Sequence, residues 1–132
     1  MIVWILVLLA VALLAYVRFA PTDYARWHTV ISAEADKDMV GGAIRIVDAP
    51  AGSLVKLNDI ALATPRTTLV AGSVEDGRVT YETRSRLIGF PDYTTVEEVD
   101  GSLRMFARLR FGRSDFGVNR ARLEDWIARL KN

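Results

Sequence analysis

The first 17 positions carry no charged side chain, and Met1 to Val17 is apolar on every side rather than striped. With Phe19 and Ala20 the run reaches about 20 residues, roughly 30 Å as a helix, enough to cross the core of a bilayer. Trp4 and Tyr16 lie near its ends, where aromatic rings favour the interface, and Arg18 can snorkel to the headgroups. A cleaved signal peptide is the alternative. Its leading region would carry Lys or Arg, which are absent here, and Pro21 follows the run and disfavours cleavage. Residues 1–20 are therefore read as an uncleaved transmembrane anchor. Arg18 and Arg26 follow the span with Asp23 between them, so the positive-inside rule gives only a thin signal for orientation.

Beyond the run the pattern is broken. Tyr24, Arg26, Trp27 and His28 suit a headgroup layer, and residues 29–41 are polar with little periodicity. Residues 21–42 are read as a juxtamembrane linker, and Ala43 to Val47 as a short strand. Ser53 is placed as an N-cap before Leu54, Leu57, Ile60 and Ala61, which recur at helical spacing until Pro65 stops the helix. From Thr67 the period is two. Strands are predicted over 67–74, 78–87, 93–99 and 102–111, with Asp76-Gly77 and Asp100-Gly101 as hairpin turns. One face of these strands is mainly apolar and the other charged, as in a sheet solvated on one side. Asn119 is placed as the N-cap of a last helix whose stripe is Leu123, Trp126, Ile127 and Leu130. The prediction is an α+β fold: a transmembrane helix, then a domain over 43–132 with a four- or five-stranded antiparallel meander and two helices on one face.

Charge adds an asymmetry that the net value of +1 hides. Residues 18–100 carry 9 basic and 13 acidic side chains, whereas residues 101–132 carry 8 basic and 3 acidic. The basic third faces either something anionic or the acidic half of the same chain. The chain has no Cys and one His, so thiolate sites, disulfides and multi-His metal sites are excluded. No phosphate-loop or dinucleotide motif is present, and the spacing of Asp76, Asp92, Glu97, Glu98 and Asp100 fits no metal loop. No cofactor is expected.

The densest run lies between the last strand and the last helix. Arg84-Ser85 lies on one strand and Phe90-Pro91-Asp92 forms a turn. Arg108 leads into Gly112-Arg113-Ser114-Asp115-Phe116-Gly117-Val118-Asn119-Arg120-Ala121-Arg122. Through these motifs residues 66–131 resemble the bacterial and chloroplast proteins grouped as domain-of-unknown-function family 1499. Two hydroxyls of the family's basic strand are replaced here by Ala107 and Leu109. The resemblance carries over no activity. It implies an exported or membrane-attached protein, which places the soluble part on the periplasmic side of a bacterial inner membrane.

Two constellations are candidates for function. Arg84, Arg86, Arg104, Arg108 and Arg110 share strand parity, joined by Arg113. Their forks suit anionic headgroups or an acidic partner, unless Glu82, Glu97 and Glu98 neutralise them. Ser85, Asp92, Gly112, Ser114, Asp115, Gly117 and Asn119 form the second. A hydrolase reading makes Asp115 or Asp92 a base and Ser114 a nucleophile, but no His partner or nucleophile elbow accompanies them. The reading adopted is a structural corner, with Asp115 fixing the strand-to-helix turn and no catalytic residue assigned. The expected function is a membrane-anchored, non-enzymatic interaction domain, such as a small accessory subunit of a membrane complex. Partners are the bilayer through residues 1–20, other membrane subunits or anionic headgroups, and not nucleic acid. The alternatives are a small periplasmic hydrolase or a binder of an apolar ligand between sheet and helices.

Overall fold

A computed structural model describes the whole chain, Met1–Asn132. The apolar run forms α1 (Ile2–Phe19), which has a mean hydropathy of 2.6 and is long and apolar enough to cross a membrane. Only Val17 among its side chains is buried, so the domain leaves most of the helix surface uncovered. A single turn, α2 (Tyr24–Trp27), is followed by β1 (Lys37–Met39), β2 (Gly42–Asp48) and α3 (Ser53–Ala63). Then come β3 (Thr67–Ser73), β4 (Arg78–Arg84), β5 (Pro91–Val99), β6 (Ser102–Leu109) and α4 (Val118–Lys131).

The sheet has six strands in the order β1-β2-β6-β5-β4-β3, and every pair is antiparallel. The expected meander is β3 to β6. At Asp100-Gly101 both residues have positive φ, 47° and 79°, as a tight primed turn requires. Four or five strands were expected, and β1 is the addition. Lys37-Asp38-Met39 shows no alternation because it is an edge strand held through its main chain to Gly42–Ile44. β4 stops at Arg84 rather than Leu87, because Ser85 turns the chain away. Leu87 is 90% exposed instead of facing the core.

The first sheet face packs on α3 and α4. Ala43, Val79, Tyr81, Val96, Leu103, Met105 and Ala107 meet Leu54, Leu57, Ala61, Leu123 and Trp126, all excluded from solvent. Each large side chain there contributes about 1.5–3 kcal/mol by leaving water. Tyr81 and Trp126 pack edge to face at 5.7 Å. Their polar tips are satisfied by Asn58 Oδ1 (2.7 Å, from Tyr81) and Thr64 Oγ1 (3.0 Å, from Trp126), which fixes both helices to the sheet. The space where an apolar ligand was imagined is filled by this core.

The second face is not solvated, contrary to the expectation from its polar alternation. Residues 18–31, expected to lie within the anchor and linker, run across it. Trp27 stacks on Tyr93 at 4.7 Å, and Tyr24 meets the same ring edge-on. Thr22 Oγ1 is 2.8 Å from the Tyr93 hydroxyl, and the Ile31 N–H donates to Glu97 Oε2 at 3.1 Å. Thr80, Glu82, Tyr93, Thr95 and Glu97 are consequently buried. A face covered by main-chain and polar groups shows the same alternation as one covered by water.

His28 is held within this layer. Its Nδ1 lies 2.8 Å from Thr80 Oγ1, and its ring sits against Gly72, where an added Cβ would fall 2.5 Å from Cε1. Gly72 also has φ +74°, so the position is closed to other residues on two counts. Burial lowers the His28 pKa, aided by the cations of Arg78 and Arg108, while Asp76 and Glu97 act the other way. The unfolded chain therefore takes up the proton more readily than the folded one. The His28 contribution is intact above about pH 6.5 and is lost as pH falls through the lowered folded value. Urea denaturation of the detergent-solubilised protein between about pH 7 and pH 5 should show a steeper loss of stability than His28→Gln shows. Equal slopes would contradict this placement of the ring.

Candidate functional site

Four of the six candidate arginines are spent on the chain's own N-terminal segment. Arg84 Nη1 donates to the carbonyls of Arg18 (3.0 Å) and Gly89 (2.8 Å), and its Nε donates to Glu82 Oε1 (2.8 Å). Arg110 reaches the Pro21 carbonyl (3.0 Å) and the Thr22 hydroxyl. Arg108 donates to the Trp27 carbonyl, to Thr95 Oγ1 (2.9 Å) and to the Phe106 carbonyl (2.9 Å). Arg104 takes the Ile31 carbonyl at 3.0 Å. A segment that crosses a sheet without joining its ladder leaves carbonyls unpaired, and each must find a donor. The guanidinium fork supplies several donors in one plane from an adjacent strand. Burial pulls the Arg108 pKa down to about 10, which still leaves it charged at neutral pH. Its guanidinium lies over the Phe106 ring at 4.5 Å and near the Trp27 ring at 5.4 Å.

The glutamates neutralise part of this face. Glu82 pairs with Arg84 and Glu97 with Arg78, while Glu98 points to the other face and accepts the Gly52 N–H. Arg86 and Arg113 stand apart from the ladder. Arg86 lies beyond the end of β4, off the sheet face assigned to it, and both side chains are exposed.

The motif residues gather at one end of the sheet. Asp115 Oδ1 accepts the Gly117 N–H (3.0 Å), and Oδ2 accepts the Asn119 N–H (3.1 Å) and Asn119 Nδ2 (2.8 Å). Asp115 thus supplies the side-chain acceptor for the first turn of α4 that was expected from Asn119. Gly117, left-handed at φ +80°, precedes the helix. A parallel correction applies at α3, where left-handed Gly52 is the cap and Ser53 Oγ donates back to the Pro50 carbonyl. Asn119 is fully buried. Its amide also reaches Asp92 Oδ2 (3.3 Å), and its Oδ1 accepts from Arg122 Nη1. Arg122 faces Asp92 at 3.5 Å. Burial raises the Asp92 pKa, opposed by Arg122 and the Asn119 amide, and burial lowers that of Arg122.

The Arg84-Ser85 and Phe90-Pro91-Asp92 motifs form one closed loop. Ser85 Oγ accepts the N–H groups of Gly89 (3.1 Å) and Phe90 (2.9 Å), while Arg84 holds the Gly89 carbonyl. Between this loop and the α4 corner lies a cleft of about 560 Å³. Arg84, Ser85, Arg86, Asp92, Gly112, Ser114 and Asp115 line it, and Gly117, Asn119, Arg104, Arg108, Arg110 and Arg113 do not. Arg66, Phe111, Phe116 and Arg122 line it too and were not assigned to a site. Arg122 was legible as the i+3 neighbour of Asn119 on the helix. The aromatic residues carried no pattern to mark them. Neither serine at the cleft bonds to a carboxylate or an imidazole. Ser114 Oγ accepts the Phe116 N–H at 3.2 Å, and Asp115 is engaged by three donors. The cleft offers guanidinium groups and aromatic edges, a chemistry of binding.

If Asp115 is the keystone of this corner, Asp115→Ala should cost about 1–2 kcal/mol, the value of a helix-capping acceptor. Ser114→Ala, which loses one exposed bond, should stay within about 0.5 kcal/mol. Urea denaturation of both variants checks this, and equal costs would contradict it.

No curated protein matches the chain. A family model described as "Protein of unknown function (DUF1499)" matches residues 21–130. That span begins where α1 ends and takes in the clamped N-terminal segment, all six strands and nearly all of α4. The chain belongs to the DUF1499 family.

Proposed function

We propose that this protein is a single-pass, membrane-anchored interaction domain without catalysis of its own. It works as a small accessory subunit of a membrane complex, with its folded part on the periplasmic side of a bacterial inner membrane. The observation that carries the reading is the arginine clamp. It ties the main chain from Arg18 to Ile31 to the sheet, directly behind an apolar helix that the domain leaves mostly uncovered. A domain fastened this way has one pose on its anchor rather than swinging on a linker. The motif cleft then lies beside the end of α1, where Tyr16 meets Phe111 at 6.0 Å.

The partner surface is the rim of that cleft. Phe116 is 94% exposed and sits in the left-handed region at φ 54°, beside exposed Arg113. An aromatic side chain and an arginine held out by a rigid corner are what interface centres are built from. The saturated carboxylates and unactivated serines support a binding role.

Alkaline carbonate extraction should leave the full chain in the membrane pellet, and a reporter fused after Asn132 should be active only outside the cytoplasm. In mild detergent the protein should migrate as part of a larger assembly that Phe116→Ala and Arg113→Glu release. Extraction into the soluble fraction, or a lone protein unaffected by either substitution, would contradict the proposal.

A further inference from the structure

A second concavity adjoins the motif cleft, sharing Arg66, Arg84, Ser85 and Arg86 with it but none of its aromatic residues. Four guanidinium groups converge on it. Arg18 comes from the last turn of α1, Arg66 precedes β3, Arg84 ends β4, and Arg86 lies in the loop that follows. They line a hollow of about 320 Å³ with Ser85 and Glu82. Glu82 is the only acid there, and its carboxylate is already engaged by Arg84 Nε (2.8 Å) and the Tyr93 hydroxyl (2.9 Å). Arg18, Arg66 and Arg86 are exposed and take part in none of the nine ion pairs of the molecule.

Four guanidinium groups around one hollow, three of them without a carboxylate partner, favour the entry of an anion. The backbone is also strained to build it. Arg66 holds φ +57°, unfavourable by about 1–2 kcal/mol for a residue with a Cβ. It is kept there by reciprocal bonds with Arg84. The Arg84 N–H donates to the Arg66 carbonyl at 3.0 Å, and Arg66 Nε donates to the Arg84 carbonyl at 3.0 Å. Arg18 lies over Gly89, where a Cβ would fall 2.6 Å from Nη1 and where φ is +81°.

The hollow continues into an apolar groove of about 560 Å³ between α1 and the loop after β4. Val11, Leu14 and Ala15 form one wall and Leu87 and Ile88 the other. Arg18 and Arg86 belong to both spaces and mark where they join. From Arg18 back to Val11 the helix rises about 10 Å. If α1 spans the bilayer, the groove that Leu87 and Ile88 line lies within about that distance below the headgroup level. An exposed apolar loop tip is unfavourable in water and well placed among acyl chains.

We propose that this composite site binds one anionic phospholipid, its phosphate among Arg18, Arg66, Arg84 and Arg86 and an acyl chain along the groove between α1 and Leu87-Ile88. The inference rests on the anchored reading for the location of the site. It assigns the lipid, rather than a free anion, because the apolar groove opens directly from the arginine cluster.

Titrating the delipidated, detergent-solubilised full chain with phosphatidylglycerol and, separately, phosphatidylcholine, read by native mass spectrometry, tests it. Phosphatidylglycerol should bind at one site in preference to phosphatidylcholine. Arg86→Glu, which disturbs no bond in the structure, should weaken it about tenfold or more. Leu87→Asp should also weaken it, and Lys131→Glu, an exposed charge reversal at the far end of α4 outside the site, should not. Equal binding of the two lipids overturns the proposal, as does equal loss from the Arg86 and Lys131 substitutions. Displacement by inorganic phosphate at matching concentration overturns the lipid assignment in favour of a free anion. Each of these failures can occur with the protein still firmly in the membrane pellet, so they are distinct from a failure of anchoring.

Discussion

The fold depends on arginine forks finding main-chain carbonyls. One sheet face is closed in the ordinary way, by apolar side chains against two helices. The other is closed by Arg84, Arg110, Arg108 and Arg104, which take the carbonyls of Arg18, Pro21, Trp27 and Ile31 in turn. A hydrogen bond to a charged donor contributes about 1.5–3 kcal/mol, and its loss leaves a half-buried cation unpaired. The stack of Trp27 on Tyr93 and the His28–Thr80 bond depend on the carbonyls staying where the arginines hold them.

This arrangement links α1 to the site. Arg84 holds the end of α1 with one donor while it closes the Ser85–Phe90 loop, so the helix and the loop share a fixed geometry. The loop in turn forms one wall of the motif cleft and one wall of the groove beside α1. Asp115, Asn119, Asp92 and Arg122 hold the opposite wall by joining β5 to the start of α4. The proposed membrane and partner contacts both follow from a domain that cannot rotate about its tether.

Much of this was legible in the sequence, and the exceptions share a cause. The four-strand meander, its Asp-Gly turns, both packed helices and the common parity of Arg104 and Arg108 came from local pattern, which fixes where a side chain points. Pattern does not report what lies across from it. The arginines read as open to an outside partner because their true acceptors, carbonyls 66 to 89 residues away, leave no trace in side-chain identity. β1 was missed because an edge strand needs no alternation. The cap of α4 was placed on Asn119 when its acceptor is Asp115, because both residues are good cappers and only the buried Asp92–Arg122 pair decides which turns inward. The cleft itself was not visible, since Arg66 lies in the turn before β3 and Phe111 and Phe116 in the loop after β6, far apart in sequence.

The central claim is that arginine donors hold residues 18–31 on the sheet. Hydrogen–deuterium exchange on the membrane-reconstituted protein tests it most directly, by comparing wild type with Arg108→Gln. The account predicts that the wild-type amides of Arg26, His28 and Ile31, which donate to the Asp23 and Tyr24 carbonyls and to Glu97 Oε2, exchange far more slowly than in a free peptide. In the variant they should lose that protection while the β4, β5 and β6 amides keep theirs. Rapid exchange of this segment in wild type, or protection unchanged by the substitution, would contradict it.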